Sequence, residues 1–122
     1  MKHLLLTTIA AVLLVGCGES IHEAAWDGNI EAVKQHLAAG TDVDAKTGGG
    51  TTPLHTVTVY GNREIAELLI ANGADVNAKI ELGEDKGKTP LDWAILYGHP
   101  ETANLLRKHG GKTGEELKAE GN

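Results

Sequence analysis

The chain has no phenylalanine, and its only aromatic residues are two tryptophans and two tyrosines, so each of the four carries weight. It has a single cysteine, Cys17, which rules out an intramolecular disulfide. Its longest apolar run, Leu4 to Val15, covers 12 residues. A membrane-spanning helix needs about 20. Positive charge is also scarce: 11 Lys and Arg stand against 17 Asp and Glu, for a formal net charge of −6. That balance argues against a nucleic-acid footprint, and no nucleic-acid partner is expected. No Gly-rich phosphate loop follows a strand, and no nucleophile motif is present. No histidine pair has the i, i+4 spacing of metal ligands. No catalytic residues, metal or cofactor are therefore expected, and the 122 residues bound the answer to one small domain.

What is present is organised around Thr52 to Ala78. Thr52 is a good N-cap, and Pro53 then takes the first helical position, where a missing N–H costs nothing. His55 falls three residues after the cap, where a side chain can reach back to it, much as in a capping box. Gly61 can end this short helix in the left-handed conformation. Ile65, Leu68 and Leu69 share one face of a second helix, which Asn72-Gly73 ends. Neither helix is long enough to be stable alone, so each must pack on a neighbour.

The unit repeats. A shift of 33 residues lays Ile21–Lys46 over Leu54–Lys79, with His22, Gly28, Asn29, Glu31, Ala38, Gly40, Asp42, Val43, Ala45 and Lys46 meeting identical residues. A shift of 37 lays Gly50–Gly73 over Gly87–Gly110, where Thr52, Pro53, Leu54, Tyr60, Gly61, Leu68 and Leu69 recur. This resembles the ankyrin repeat, marked by T-P-L-H-x-A. Val57 replaces the final Ala of that mark, and the third copy reads Thr89-Pro90-Leu91-Asp92. The resemblance covers roughly Ile21 to Gly110. It implies an all-α repeat solenoid, an ankyrin-type stack of about three helix-turn-helix units with short β-hairpin fingers. The repeat domain spans 21–112, with copies at about 21–49, 50–86 and 87–112. Residues 113–122 then form a capping helix and tail, since Thr113 and Glu116 again have capping-box spacing.

Residues 1–16 are read as a signal peptide that is removed, and 17–20 as a lipidated N-terminus with a short linker. Leu14-Val15-Gly16-Cys17 resembles the lipobox of a bacterial lipoprotein, in which cleavage precedes the cysteine and its thiol is acylated. Gly18, in place of Asp, points by analogy to the outer membrane, facing the periplasm. The alternative is an ordinary secretory signal with an incidental cysteine.

For binding residues, the resemblance implies a groove formed by the fingers and first helices. The two positions before the repeat glycine typically face it. Here they are Trp26 and Asp27, Val59 and Tyr60, and Leu96 and Tyr97. Three of the four aromatics fall there, as binding anchors would; the alternative is that they merely cover neighbouring helices. Trp93 is expected to pack. The second finger, Lys79 to Lys88, is four residues longer than the first. Its Glu81, Leu82 and Asp85 are candidate contacts, unless the insertion is simply tolerated at a loop tip. His22 and His55, at equivalent positions, are expected to cap helices. The function expected is a monomeric, membrane-anchored, non-enzymatic module that binds an unidentified protein or peptide in the bacterial envelope. Two alternatives remain: an inhibitor or immunity-type protein that plugs a partner enzyme, and a structural lipoprotein without a defined ligand.

Overall fold

The structure, a computed structural model, describes residues 20–121. Seven helices follow one another: α1 (Ile21–Asp27), α2 (Ile30–Ala38), α3 (Pro53–Tyr60), α4 (Arg63–Ala71), α5 (Pro90–Leu96), α6 (Pro100–Lys108) and α7 (Gly114–Ala119). The first six form three antiparallel-type pairs, α1 on α2, α3 on α4 and α5 on α6. The pairs stack in chain order, with α3 between α1 and α5, and α4 between α2 and α6.

Local chemistry sets the helix starts. Ser20, Thr52, Thr89 and Thr113 each accept the N3 backbone N–H of their helix. The N3 side chain reaches back in each case, from Glu23, His55, Asp92 and Glu116. His55 therefore caps as expected. His22 does not. The first helix begins one residue later in the repeat, so Glu23 takes the N3 place and His22 falls at N2. Neither ring nitrogen of His22 has a partner in hydrogen-bond geometry, although the Ala45 backbone lies close enough to offset part of the burial that lowers its pKa.

One apolar core runs the length of the stack, built on Ile21, Val33, Leu54, Val57, Ile65, Leu69, Leu91 and Leu106. Leu69 is fully buried, whereas its neighbour Leu68 only packs against the core's edge. No helix among the described residues is long and apolar enough to cross a membrane.

The fingers depart from expectation. None of the described residues lies in a β-strand, so the expected β-hairpins are turn-closed loops. In the first finger Thr47 N–H bonds the Thr51 carbonyl and Gly50 N–H bonds the Thr47 carbonyl, at 3.0 and 2.9 Å. In the second, Ile80 N–H bonds the Lys88 carbonyl and Gly87 N–H bonds the Ile80 carbonyl, at 2.9 and 2.8 Å. So few rungs do not extend into a ladder. The two fingers do meet, because the Gly49 carbonyl accepts the N–H groups of Glu81 and Leu82 at 2.9 and 3.2 Å. A Cβ at Gly50 would lie 2.8 Å from the Glu81 nitrogen, so the glycine run admits this approach.

Candidate binding face

The C-terminal ends of α1, α3 and α5 present two adjacent repeat positions, Trp26, Val59 and Leu96 at one and Asp27, Tyr60 and Tyr97 at the next. Trp26, Tyr60, Leu96 and Tyr97 are between 47% and 62% exposed, an unusual state for such large apolar side chains. Asp27 is exposed beside Trp26, and Val59 is half-buried. The glycines that follow end α1 and α3 in the left-handed conformation, at φ 72° for Gly28 and 69° for Gly61. α1 is thus cut off at Asp27, one residue past Trp26, and α3 at Tyr60.

The expected row of three aromatics resolves into two pairs. Trp26 and Tyr60 meet edge to face, with ring centroids 5.1 Å apart. Tyr97 instead meets Trp93 at 6.1 Å, and Trp93 also packs edge-on against His55 at 5.3 Å. Trp93 is half-buried, and its indole N–H has no hydrogen-bond partner among the described residues. Sequence reasoning set it aside as packing. It packs, but it also supports Tyr97 from below.

The histidines behind this face are structural. His55 accepts the Thr52 N–H at Nδ1 (3.3 Å), while its Nε2 donates to the Lys88 carbonyl (3.1 Å). This arrangement suits the neutral ring. Burial lowers the pKa of His55, and the Lys88 carbonyl, Asp75 and Asp92 offset only part of that effect. Burial likewise lowers the pKa of His22. His99 was missed as a contact between copies. Its Nε2 donates to the Val59 carbonyl at 2.9 Å, tying the start of α6 to the end of α3. The available signal was its substitution for the capping residues Asn29 and Asn62, which bond Ala32 and Ile65 N–H groups at the equivalent position.

The finger acids bond backbone. Asp42 accepts from Asp44 N–H, Asp75 from Asn77 N–H, and Asp44 from Asp75 N–H at 3.0 Å. Asn77, one repeat after Asp44, accepts the Lys112 N–H at 2.7 Å and donates to the Gly110 carbonyl at 3.1 Å. Reading the two as one repeated position would have found this joint.

The long finger's candidates divide. Glu81 is engaged by Lys46 at 2.6 Å, which raises the lysine's pKa. Asp85 pairs with Lys88 at 3.4 Å. Leu82 is exposed at the tip, and Ile80 is buried beneath it. Among the described residues, no cluster of three His, Cys, Asp or Glu side chains could hold a metal ion. Cys17 and the leader lie outside the described residues.

Residues 21–116 match the family model described as ankyrin repeats, three copies. Among curated proteins, the chain is similar to human protein phosphatase 1 regulatory subunit 27, 38% identical over 65 residues, covering 53% of this chain and 42% of that protein. It is similar to an ankyrin repeat-containing protein of Schizosaccharomyces pombe, 34% identical over 61 residues, covering 50% of this chain and 30% of the relative. It is also similar to human mitochondrial disaggregase, 34% identical over 85 residues, covering 63% of this chain and 12% of the relative. The matched stretch spans less than half of each relative. Three stacked helix pairs, the Thr-Pro-Leu-His start and a family match over nearly all of the described residues agree: the chain belongs to the ankyrin repeat family.

Proposed function

We propose that the protein is a membrane-anchored ankyrin module of the bacterial cell envelope that binds a protein or peptide through Trp26, Tyr60, Leu96 and Tyr97. The observation that carries this reading is the set of large, exposed side chains Trp26, Tyr60, Leu96 and Tyr97, which fall on two adjacent repeat positions at the ends of the first helices. Side chains of this size at the exposed end of each first helix contribute little to internal packing. They are the residue types that dominate binding energy where a partner covers them. Ankyrin repeats are protein-interaction modules, which supports the same class of function. The envelope location rests on the leader alone, through the lipobox-like Leu14-Val15-Gly16-Cys17.

A photo-crosslinking residue at position 60, in the protein expressed in its own membranes, should trap a specific protein. The same group at position 67, on the outer helix α4, should not. Equal trapping at both positions, or trapping at 67 alone, would move the partner off the proposed face. The anchor has its own test. Cys17→Ser should release the protein from the membrane fraction, because acyl chains are the proposed attachment. Full retention of this variant would place the attachment elsewhere.

A second reading has one specific observation behind it. One relative is named as a regulatory subunit of protein phosphatase 1. A module that binds an enzyme and restrains it would use the same face, and the trapped partner would then be an enzyme whose activity falls on binding.

A further inference from the structure

The ring geometry and the charge of the binding face restrict what can occupy it. Trp26 and Tyr60 come from successive copies, and their rings stand at 75° to one another with centroids 5.1 Å apart. Trp26 is 50% exposed and Tyr60 58%, so the two rings form a corner left partly to solvent. The face of an aromatic ring is the negative side of its quadrupole and attracts a cation.

Asp27 follows Trp26 in the chain and holds the repeat position of Tyr60 in the copy before, so it borders the corner. It is exposed, and it pairs with no lysine or arginine among the described residues. Its position does not help its own helix. Asp27 ends α1, where the helix dipole disfavours a carboxylate and favours a cation. None of α1, α3 and α5 has a basic residue in its last turn, whereas α6 and α7 carry Arg107, Lys108 and Lys118 there.

The surroundings have the same sign. The first helices with their caps, residues 20–29, 52–62 and 89–99, hold the carboxylates Glu23, Asp27 and Asp92 and no lysine or arginine. Glu23 and Asp92 accept from neutral N–H and hydroxyl groups, so both keep their charge. Burial lowers the pKa of His22 and His55, so neither adds positive charge at neutral pH. Arg63, the cation nearest to Tyr60 in the chain, pairs with Glu67 at 2.8 Å. The fingers do not reverse the balance. The first sets Asp42 and Asp44 against Lys46, which Glu81 engages. The second, with the turn before it, sets Asp75, Glu81, Glu84 and Asp85 against Lys79, Lys86 and Lys88.

We propose, resting on the binding face described under the proposed function, that its occupant is a basic peptide segment of a protein partner. An arginine or lysine side chain of that segment sits in the corner of Trp26 and Tyr60, with its charge against Asp27. The rings supply a seat for the cation, and the acidic surroundings steer a basic segment in and keep an acidic one out.

The test is selection of phage-displayed random dodecapeptides on the purified full chain in detergent. The enriched peptides should carry arginine or lysine, and synthetic copies should shift the amide resonances of Trp26, Asp27 and Tyr60. Asp27→Lys should weaken their binding about tenfold or more, and Trp26→Leu, which keeps apolar bulk but removes the ring, about tenfold. The thermal midpoint of Asp27→Lys should hold or rise, because the lysine suits the helix end. Glu115→Lys makes the same change of net charge on the exposed side of α7 and should alter binding by less than about twofold. Acidic or uncharged peptides that still shift Trp26 and Tyr60 would overturn the basic occupant and leave the binding face standing. No enrichment, or shifts confined to α2, α4 and α6, would overturn both. Equal losses in Asp27→Lys and Glu115→Lys would reduce the effect to net charge and overturn the corner, as would unchanged binding in Trp26→Leu. Self-association of the protein that Asp27→Lys abolishes would also overturn the proposal, since the corner would then hold another copy of the chain.

Discussion

The second and third copies begin alike and end differently. Both α3 and α5 open on a capping threonine followed by Pro and Leu. In α3 every residue from Pro53 to Thr58 is buried, whereas in α5 only Pro90, Leu91 and Ala94 are. The side chains run opposite to the burial. The middle copy places Thr56 and Thr58 inside, each hydroxyl bonded to a carbonyl of its own helix, at 3.3 Å to Thr52 and 2.5 Å to His55. The third copy has Trp93 and Ile95 at those positions, with more solvent. Repeats contact only their neighbours, so burial is set by what lies on either side rather than by the unit itself. A buried threonine is acceptable once its hydroxyl is bonded. A large apolar residue at an exposed position contributes little to the stack.

The largest difference between a buried and an open position should appear on truncation. Leu54→Ala removes a fully buried side chain from the centre of the stack. It should cost about 2–5 kcal/mol in denaturant unfolding, enough to unfold a domain this small. A loss below about 1 kcal/mol would mean that the middle copy is not the packed centre.

The repeat glycines sharpen the same contrast with a smaller effect. Gly61 and Gly98 both have left-handed backbones, at φ 69° and 74°. A Cβ at Gly98 meets nothing within 4 Å, so Gly98→Ala should cost only the backbone strain, about 1–2 kcal/mol. At Gly61 the Cβ would lie 2.5 Å from His99 Nδ1. Gly61→Ala should therefore cost more, by about 1 kcal/mol for the displaced hydrogen bond from His99 to Val59. Equal losses would show that His99 moves aside freely.

The smallest of these effects is an acid dependence. His55 has a lowered pKa in the folded chain, so near the ordinary imidazole range the unfolded chain binds more protons. Stability should hold at neutral pH and fall as the pH drops through that range. Denaturant midpoints across it should show the decline, and His55→Gln should flatten it. An unchanged slope in the variant would assign the dependence to other groups, His22 first.

Much of this was legible because the signals are local. Helix caps and repeat glycines mark the start and end of α3 and the end of α4, and the repeat offsets carry that pattern to the other copies. What was not legible depends on neighbours. The Ser20–Glu23 capping-box spacing is legible in the sequence and forms as read, but its consequence, that His22 falls one place short of the capping position His55 holds, was not drawn. The fingers read as hairpins by resemblance, but too few backbone bonds form for strands. Glu81 and Asp85 looked available, yet each has a lysine within reach once the chain folds. The pairing of Tyr97 with Trp93 follows from helix geometry inside the third copy, which equivalence between copies does not reveal. The exposure of Ile95 depends on the brevity of α7, a property of the following segment alone.

The most direct test of the binding face separates affinity from stability at Tyr60 and Tyr97. With the partner trapped at position 60 in hand, Tyr60→Ala and Tyr97→Ala should each weaken its capture by about 1–2 kcal/mol. Their denaturant melts should stay within about 0.5 kcal/mol of the parent protein, because both side chains are exposed. Large losses of stability, with capture reduced only in proportion to the unfolded fraction, would contradict the account and make the aromatic row a cover for neighbouring helices.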